Sequence, residues 1–199
     1  MAQEIIDIGT SSDSGDGTPN RTSWTYTNNN FTELYNGVVG QKHGFFDYND
    51  SLTSTTPISV TGGAGFVDIT NDGAGTFTNK TYAPLGVTDV WDGTLNTFDW
   101  SELSLGDMVD IRIDLLITTT SVNTSIEVDL FLGDGAGLYQ LPFITSTNLK
   151  DTGTYGKIVY NGIYMGDTNT LNNGGVFKVS ADKDCSVVVN GWYCKIVKR

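Results

Sequence analysis

From about Gly44 onward, apolar residues recur at every second position. The clearest run places Val109, Ile111, Ile113, Leu115 and Ile117 on one side and Asp110, Arg112 and Asp114 on the other. A period of two with one polar face predicts a half-buried strand of an antiparallel sheet. Ile126, Val128, Leu130 and Leu132, alternating with Glu127, Asp129 and Phe131, predict a second strand. The polar turn through Ser121-Val122-Asn123-Thr124 predicts that the two form a hairpin, with Asp110, Asp114, Glu127 and Asp129 on its solvent face. Further strands are predicted over residues 45–48, 58–60, 65–69, 75–82, 139–144, 155–160, 163–165, 176–180 and 186–198. Asp72-Gly73-Ala74-Gly75, Asp134-Gly135-Ala136-Gly137 and Asn173-Gly174-Gly175 supply turns between them. Short strands spaced by roughly 8–12 residues without helical interruption predict an all-β fold, an antiparallel jelly-roll sandwich.

The N-terminal part breaks this pattern. The first 17 residues are polar and rich in Gly, Ser and Asp, which predicts an extended arm with a weak strand at Ile5-Ile6-Asp7-Ile8. One short α-helix follows. Thr18 is its expected N-cap and Pro19 its first helical residue. Trp24, Phe31, Leu34 and Tyr35 fall on one stripe of period 3.6, with Thr27 and Asn28 between them, and Asn36-Gly37 is the expected stop. Asn28, Asn29 and Asn30 are weak helix formers, so the helix needs its aromatic face packed against something else. The expected division is residues 1–43 as arm and docking helix and residues 44–199 as a jelly-roll domain.

Charge narrows the partners. Lys and Arg number 11 against 23 Asp and Glu, a formal charge of −12. That balance opposes nucleic acid and an anionic membrane surface as partners. No apolar stretch approaches the roughly 18 residues of a membrane span. The N-terminus lacks the basic and apolar regions of a signal peptide, so synthesis in the cytoplasm without export is expected. A two-residue hairpin at Asn190-Gly191 would set Cys194 opposite Val187 rather than Cys185, so two free thiols are expected.

The residues of catalysis are sparse. His43 is the sole histidine, sits between glycines at the arm–domain boundary, and has no nucleophile elbow beside it; a solvated linker residue is expected. One His with two distant Cys does not make a zinc site. Asp13-Ser14-Gly15-Asp16-Gly17 lacks the closing Glu of a calcium loop. Carboxylates are plentiful but suit a charged outer face that opposes edge aggregation. The chain is therefore expected to be no enzyme, with no catalytic, cofactor or metal residues. The aromatic clusters Phe45, Phe46 and Tyr48, then Trp91, Phe98 and Trp100, then Tyr155, Tyr160 and Tyr164 read mostly as core, with a remainder suited to a subunit seam.

Residues 16–35 carry a motif: Asp16-Gly17-Thr18, then Arg21, Ser23 and Trp24, then Asn28, Asn30, Phe31, Glu33, Leu34 and Tyr35. The segment resembles the arm of tailed-bacteriophage virion surface proteins, among them head decoration (cement), head-fibre and tail-fibre proteins; Tyr26 and Pro19 depart from the usual Lys and Gly. A weaker likeness to the closing strands of phage jelly-roll head domains runs through residues 161–169 and 188–193. The resemblance implies a homotrimer at the virion surface. Its arm would dock on the phage major capsid protein or another virion structural protein through Trp24, Phe31, Leu34, Tyr35 and Arg21. A tail location would instead imply recognition of a host surface glycan, and a carbohydrate-binding jelly-roll module is the third reading.

Overall fold

The computed structural model describes residues 6–7, 10, 15–38 and 42–199, without the side chains of residues 20 and 33–38. The chain divides into two compact units, Met1–Gln41 and Lys42–Arg199.

In the first unit, α1 spans Asn20–Val38. The first helical bond runs from the Ser23 N–H to the Pro19 carbonyl at 2.9 Å, so Pro19 rather than Thr18 holds the capping position. Thr18 instead accepts from the Asp7 N–H through its hydroxyl at 3.0 Å and donates its own N–H to the Asp7 carbonyl at 2.8 Å. Thr25, Thr27 and Thr32 bond back to the carbonyls of Arg21, Ser23 and Asn28. These bonds satisfy the hydroxyls but do not strengthen the helix, since such back-bonding slightly weakens it. The expected strand at Ile5–Ile8 lies largely outside the described residues.

In the second unit, the strands are β1 (His43–Asn49), β2 (Ile58–Val60), β3 (Val67–Asp68), β4 (Trp91–Asp92), β5 (Thr97–Phe98), β6 (Met108–Thr119), β7 (Thr124–Leu132), β8 (Tyr139–Leu149), β9 (Gly153–Tyr164), β10 (Gly175–Ala181) and β11 (Cys185–Val197). A one-turn helix, α2, covers Thr168–Asn173 with Asp167 capping the Thr170 N–H at 2.8 Å. The first sheet runs β1-β11-β6-β9, with β2 also on β11; the second runs β4-β5-β10-β7-β8, with β3 on β10. All pairings are antiparallel, and the chain passes from one sheet to the other at β2–β3, β5–β6, β6–β7, β8–β9, β9–β10 and β10–β11. This is a jelly-roll sandwich.

Two sequence expectations are corrected here. β6 and β7 do not form a hairpin: β6 pairs with β11 and β9, and β7 with β10 and β8. Their turn is drawn across the sandwich, where the Asn123 N–H meets the Lys150 carbonyl at 3.0 Å and the Thr119 hydroxyl meets the Asp151 carbonyl at 3.1 Å. Their apolar faces thus oppose each other from different sheets. Asn190-Gly191 is not a turn either. β11 runs straight through it, shifting register between Val189 and Gly191. Gly191 is needed because a Cβ there would stand 2.5 Å from the Tyr48 carbonyl oxygen. Cys185 and Cys194 lie at opposite ends of this one strand, about 30 Å apart at the usual rise, and both are free and buried. Burial pushes both thiols above the usual cysteine range.

Residues 75–82, expected as a strand, form a loop that closes the outer edge of β1. Bonds join Phe45 N–H to the Tyr82 carbonyl at 2.9 Å, Asp47 and Asn79 reciprocally at 2.9 and 2.8 Å, and Gly75 N–H to the Asn49 carbonyl at 2.8 Å. The predicted strands at residues 155–160 and 163–165 are one strand, β9.

The core lies between the sheets. Trp91, Phe98, Trp100, Phe177 and Trp192 form its aromatic centre, with Trp192 from the first sheet meeting Trp91, Phe98 and Phe177 of the second at ring-centre distances of 5.2, 6.5 and 5.4 Å. Asp129, expected on a solvent face, is fully buried and accepts from the Gln140 amide; Gln140, on β8, lies over it.

The acidic residues hold loops together. Asp72 takes the N–H groups of Ser51 and Ala74, Asp89 those of Val90 and Trp91, and Glu102 those of Thr88 and Asp89. Burial alone would raise Asp72 and Asp89. Bonds from Ser51 and Ala74 to Asp72, and from Lys80, Tyr48 and Trp91 to Asp89, outweigh it and hold both below the ordinary carboxyl value of 3.8. The Thr88 N–H does the same for Glu102. A folded pKa below the unfolded one contributes stability above the unfolded value and loses it as pH falls through the folded value. Asp47, raised chiefly by burial, works in the opposite sense but alone. Thermal midpoints recorded from pH 7 downward should therefore hold to about pH 5 and fall steeply below about pH 4. Asp89→Asn should lower the midpoint at pH 7 and flatten that acid limb; an unchanged limb contradicts the assignment.

Candidate functional site

The expected docking residues begin on α1. Trp24 and Phe31 are each 65% exposed, and Arg21 is exposed. Trp24, Asn28 and Phe31 are all exposed at spacings of four and three residues, which aligns them along one face of the helix. Leu34 and Tyr35 continue that spacing on the same helix, and their side chains lie outside the described residues. Thr27, expected within the stripe, is half-buried at its border, and Ser23, Tyr26 and Asn30, also half-buried, continue the flank beyond it. The stripe is therefore apolar, exposed and unusual for a surface helix, the composition of an interface anchor.

A second surface lies on the outer face of the first sheet. The ladder sets Asp47, Tyr193, Arg112 and Tyr160 side by side across β1, β11, β6 and β9, and Phe45, Lys195, Asp110 and Gly162 in the next row. Tyr82 stacks on Phe45 at 5.1 Å, Phe45 meets Tyr193 at 5.5 Å, and the Arg112 guanidinium sits 5.4 Å from the Tyr193 ring centre. Burial raises the Asp47 carboxyl, against the pull of Arg112. The Tyr160 hydroxyl bonds to Asp110, which raises its pKa. The inner rings of this stripe turn their faces to one another. Only Tyr82 and Tyr160, 52% and 58% exposed at its two ends, offer free ring surface. Of the aromatic clusters read from sequence, Phe46, Tyr48, Trp91, Phe98 and Trp100 are core, whereas Tyr160 and Tyr164 stand outside. Their even spacing on β9 is the signal that separates them from inward-facing Val159 and Ile163.

His43 is no linker residue; it opens β1, exposed and in register with Val197. No group of three or more His, Cys, Asp or Glu is placed to hold a metal ion among the described residues. No described helix is long and apolar enough to cross a membrane. The clefts are open and shallow. One of them, of about 390 Å³, lies between Phe66, Phe131, Leu138 and Lys178 on the outer face of the second sheet.

Fold and surfaces together define an antiparallel jelly-roll domain that follows a helix bearing an exposed aromatic stripe. No family model and no curated protein matches the chain. Among solved structures, the chain is similar to infectious bursal disease virus, Gx strain, at 12% identity with a TM-score of 0.42, covering 78% of this chain and 33% of that one. It is similar also to the VP2 subviral particle of that virus at 11% identity with a TM-score of 0.42, covering 78% and 32%. A third likeness is to the CBM22-1 xylan-binding domain of Paenibacillus barcinonensis Xyn10C, at 8% identity with a TM-score of 0.38, covering 78% and 94%. The chain thus spans about a third of the length of these two viral chains. Identities this low leave function to the chain's own residues.

Proposed function

We propose that the chain is a non-enzymatic structural protein of a tailed-phage virion, a trimeric decoration or short head-fibre protein. Its N-terminal helix anchors it to the capsid protein or another virion component, and its jelly roll faces outward. The observation that carries this reading is the exposed Trp24–Phe31 stripe, which falls within the segment that resembles the phage arm motif. An acidic, outward-facing domain also keeps particles apart. Immunogold labelling of intact particles tests it: label over the whole head, in high copy, supports decoration, and absence from particles overturns it.

A receptor-binding protein at the tail tip is the second reading, favoured by the exposed rings of Tyr82 and Tyr160 beside Asp47 and Asp110, a surface chemistry suited to neutral sugars. Label confined to one particle vertex would select it.

A further inference from the structure

The sandwich guards each long sheet edge but one. A strand edge with free N–H and C=O groups is a template for another chain, and proteins cover or interrupt such edges. The edge of β1 is bonded to the loop over residues 75–82. β8, the outer strand of the second sheet, carries Pro142 and faces register shifts in β7. β3 and β4 have 2 residues each. β9, by contrast, has 12 residues, no proline and an unbroken register with β6 from Gly153 to Tyr164. Among the described residues nothing else pairs with its outer edge; the Gly162 N–H is held only by the neighbouring Asn161 side chain at 2.9 Å.

This edge is self-complementary. When two copies of β9 are laid antiparallel about a two-fold axis at Val159, residue i meets residue 318 − i, and Thr154–Tyr164 is paired throughout. On the outer face Ile158 then meets Tyr160, Gly156 meets Gly162 and Thr154 meets Tyr164. A β-branched residue opposite an aromatic one is a favourable cross-strand pair. Ile158, Tyr160 and Tyr164 are 68%, 58% and 68% exposed in the single chain, and such a seam would cover them. Charges agree as well. Lys157 meets Asn161 rather than a second Lys157, and the row across the seam runs Asp114, Ile158, Tyr160 and Arg112, with opposite charges at its ends. Moving the axis to Ile158 or to Tyr160 sets a glycine opposite Tyr160 or Ile158.

We infer that β9 is a homotypic seam: two copies of this chain join edge to edge about a two-fold axis and make one continuous sheet across both subunits. The inference stands independently of what α1 binds, but it covers Tyr160 and so excludes sugar stacking on that ring. Combined with a three-fold contact elsewhere on the subunit, it would link neighbouring trimers laterally, because two-fold and three-fold contacts together generate closed assemblies.

Cysteine pairing on the purified full chain tests the register. Directly opposed Cα atoms in such a ladder lie about 5.5 Å apart or less, within disulfide range, whereas positions offset by two residues exceed about 7 Å. A mixture of Ile158→Cys and Tyr160→Cys chains should therefore give a disulfide-linked pair on mild oxidation, while either variant alone should not. Native Cys185 and Cys194 are buried and should stay silent. Light scattering should give an even number of chains. Ile158→Lys with Tyr160→Lys, which sets like charges across the seam, should halve that mass without moving the thermal midpoint of the dilute protein. An odd-numbered mass unaffected by the double variant, or mixed cross-linking no stronger than that of either variant alone, overturns the inference.

Discussion

Particles grown with Trp24→Asp and Phe31→Asp in this chain are expected to lose it from their surface. Full burial of one large apolar side chain contributes about 1.5–3 kcal/mol, so the pair contributes about 3–6 kcal/mol before ordering costs. Each 1.4 kcal/mol is about a factor of ten, which places the loss of affinity at roughly two to four orders of magnitude. Carboxylates at a desolvated contact add to that loss. The same double variant should leave the jelly roll intact. Both side chains are 65% exposed, and substitutions at exposed sites usually stay within about 0.5 kcal/mol. Two measurements separate the effects: copy number per particle by quantitative gel, and the thermal midpoint of the purified chain. Full occupancy with both aspartates present would refute the docking role of α1. Loss of occupancy together with a collapsed midpoint would show instead that the stripe supports folding.

The second large effect lies in the core. Trp192→Ala should destabilise the jelly roll by about 3–5 kcal/mol, a large share of the roughly 5–15 kcal/mol that holds a domain of ordinary stability. The ring is 1% exposed and is the contribution of the first sheet to an aromatic centre otherwise built from Trp91, Phe98, Trp100 and Phe177. Its removal leaves a cavity between two sheets whose backbones are pinned by long ladders and cannot close on it. Trp192→Phe should recover most of the loss, since the Trp192 indole N–H makes no hydrogen bond among the described residues. Trp91 makes a useful contrast. Its indole donates to the Asn71 carbonyl at 2.9 Å, so Trp91→Phe loses that bond and leaves a buried acceptor unpaired. Urea denaturation of the three variants orders them, and a Trp192→Ala midpoint within the range of surface changes would contradict this account of the core.

The strand pattern was legible because a half-buried strand announces itself locally. Val109, Ile111, Ile113, Leu115 and Ile117 are all fully buried, as their alternation requires. The missed features are those that depend on distant chain. Nothing near Ser121 marks whether the chain folds back into the same sheet or crosses to the other, because either route buries the same faces of β6 and β7. Residues 75–82 have enough β-forming character to suggest a strand, yet they serve as a cover bonded to the edge of β1. Asn190-Gly191 has turn chemistry, but 12 residue pairs with β6 on both sides of it keep the backbone extended. Of the candidate site, the stripe on α1 could be read from its period of 3.6. The chain of ring contacts that brings Tyr82, Phe45, Tyr193 and Arg112 together could not, since it joins four separate segments.

By itself, the amino-acid sequence determined the fold class, the inward-facing side of β6 and β7, the helix with its aromatic stripe and the acidic balance. Each of these follows from periodicity or from counting side chains, and both are local properties. Only the tertiary structure decided which strands are partners, that the carboxylates serve as loop anchors, that Asp129 is covered, and that among the described residues β9 presents a long, uninterrupted sheet edge with no pairing partner. Those facts depend on hydrogen bonds between residues far apart in the chain. A period of two says which way a side chain points, and it says nothing about what lies beside the strand.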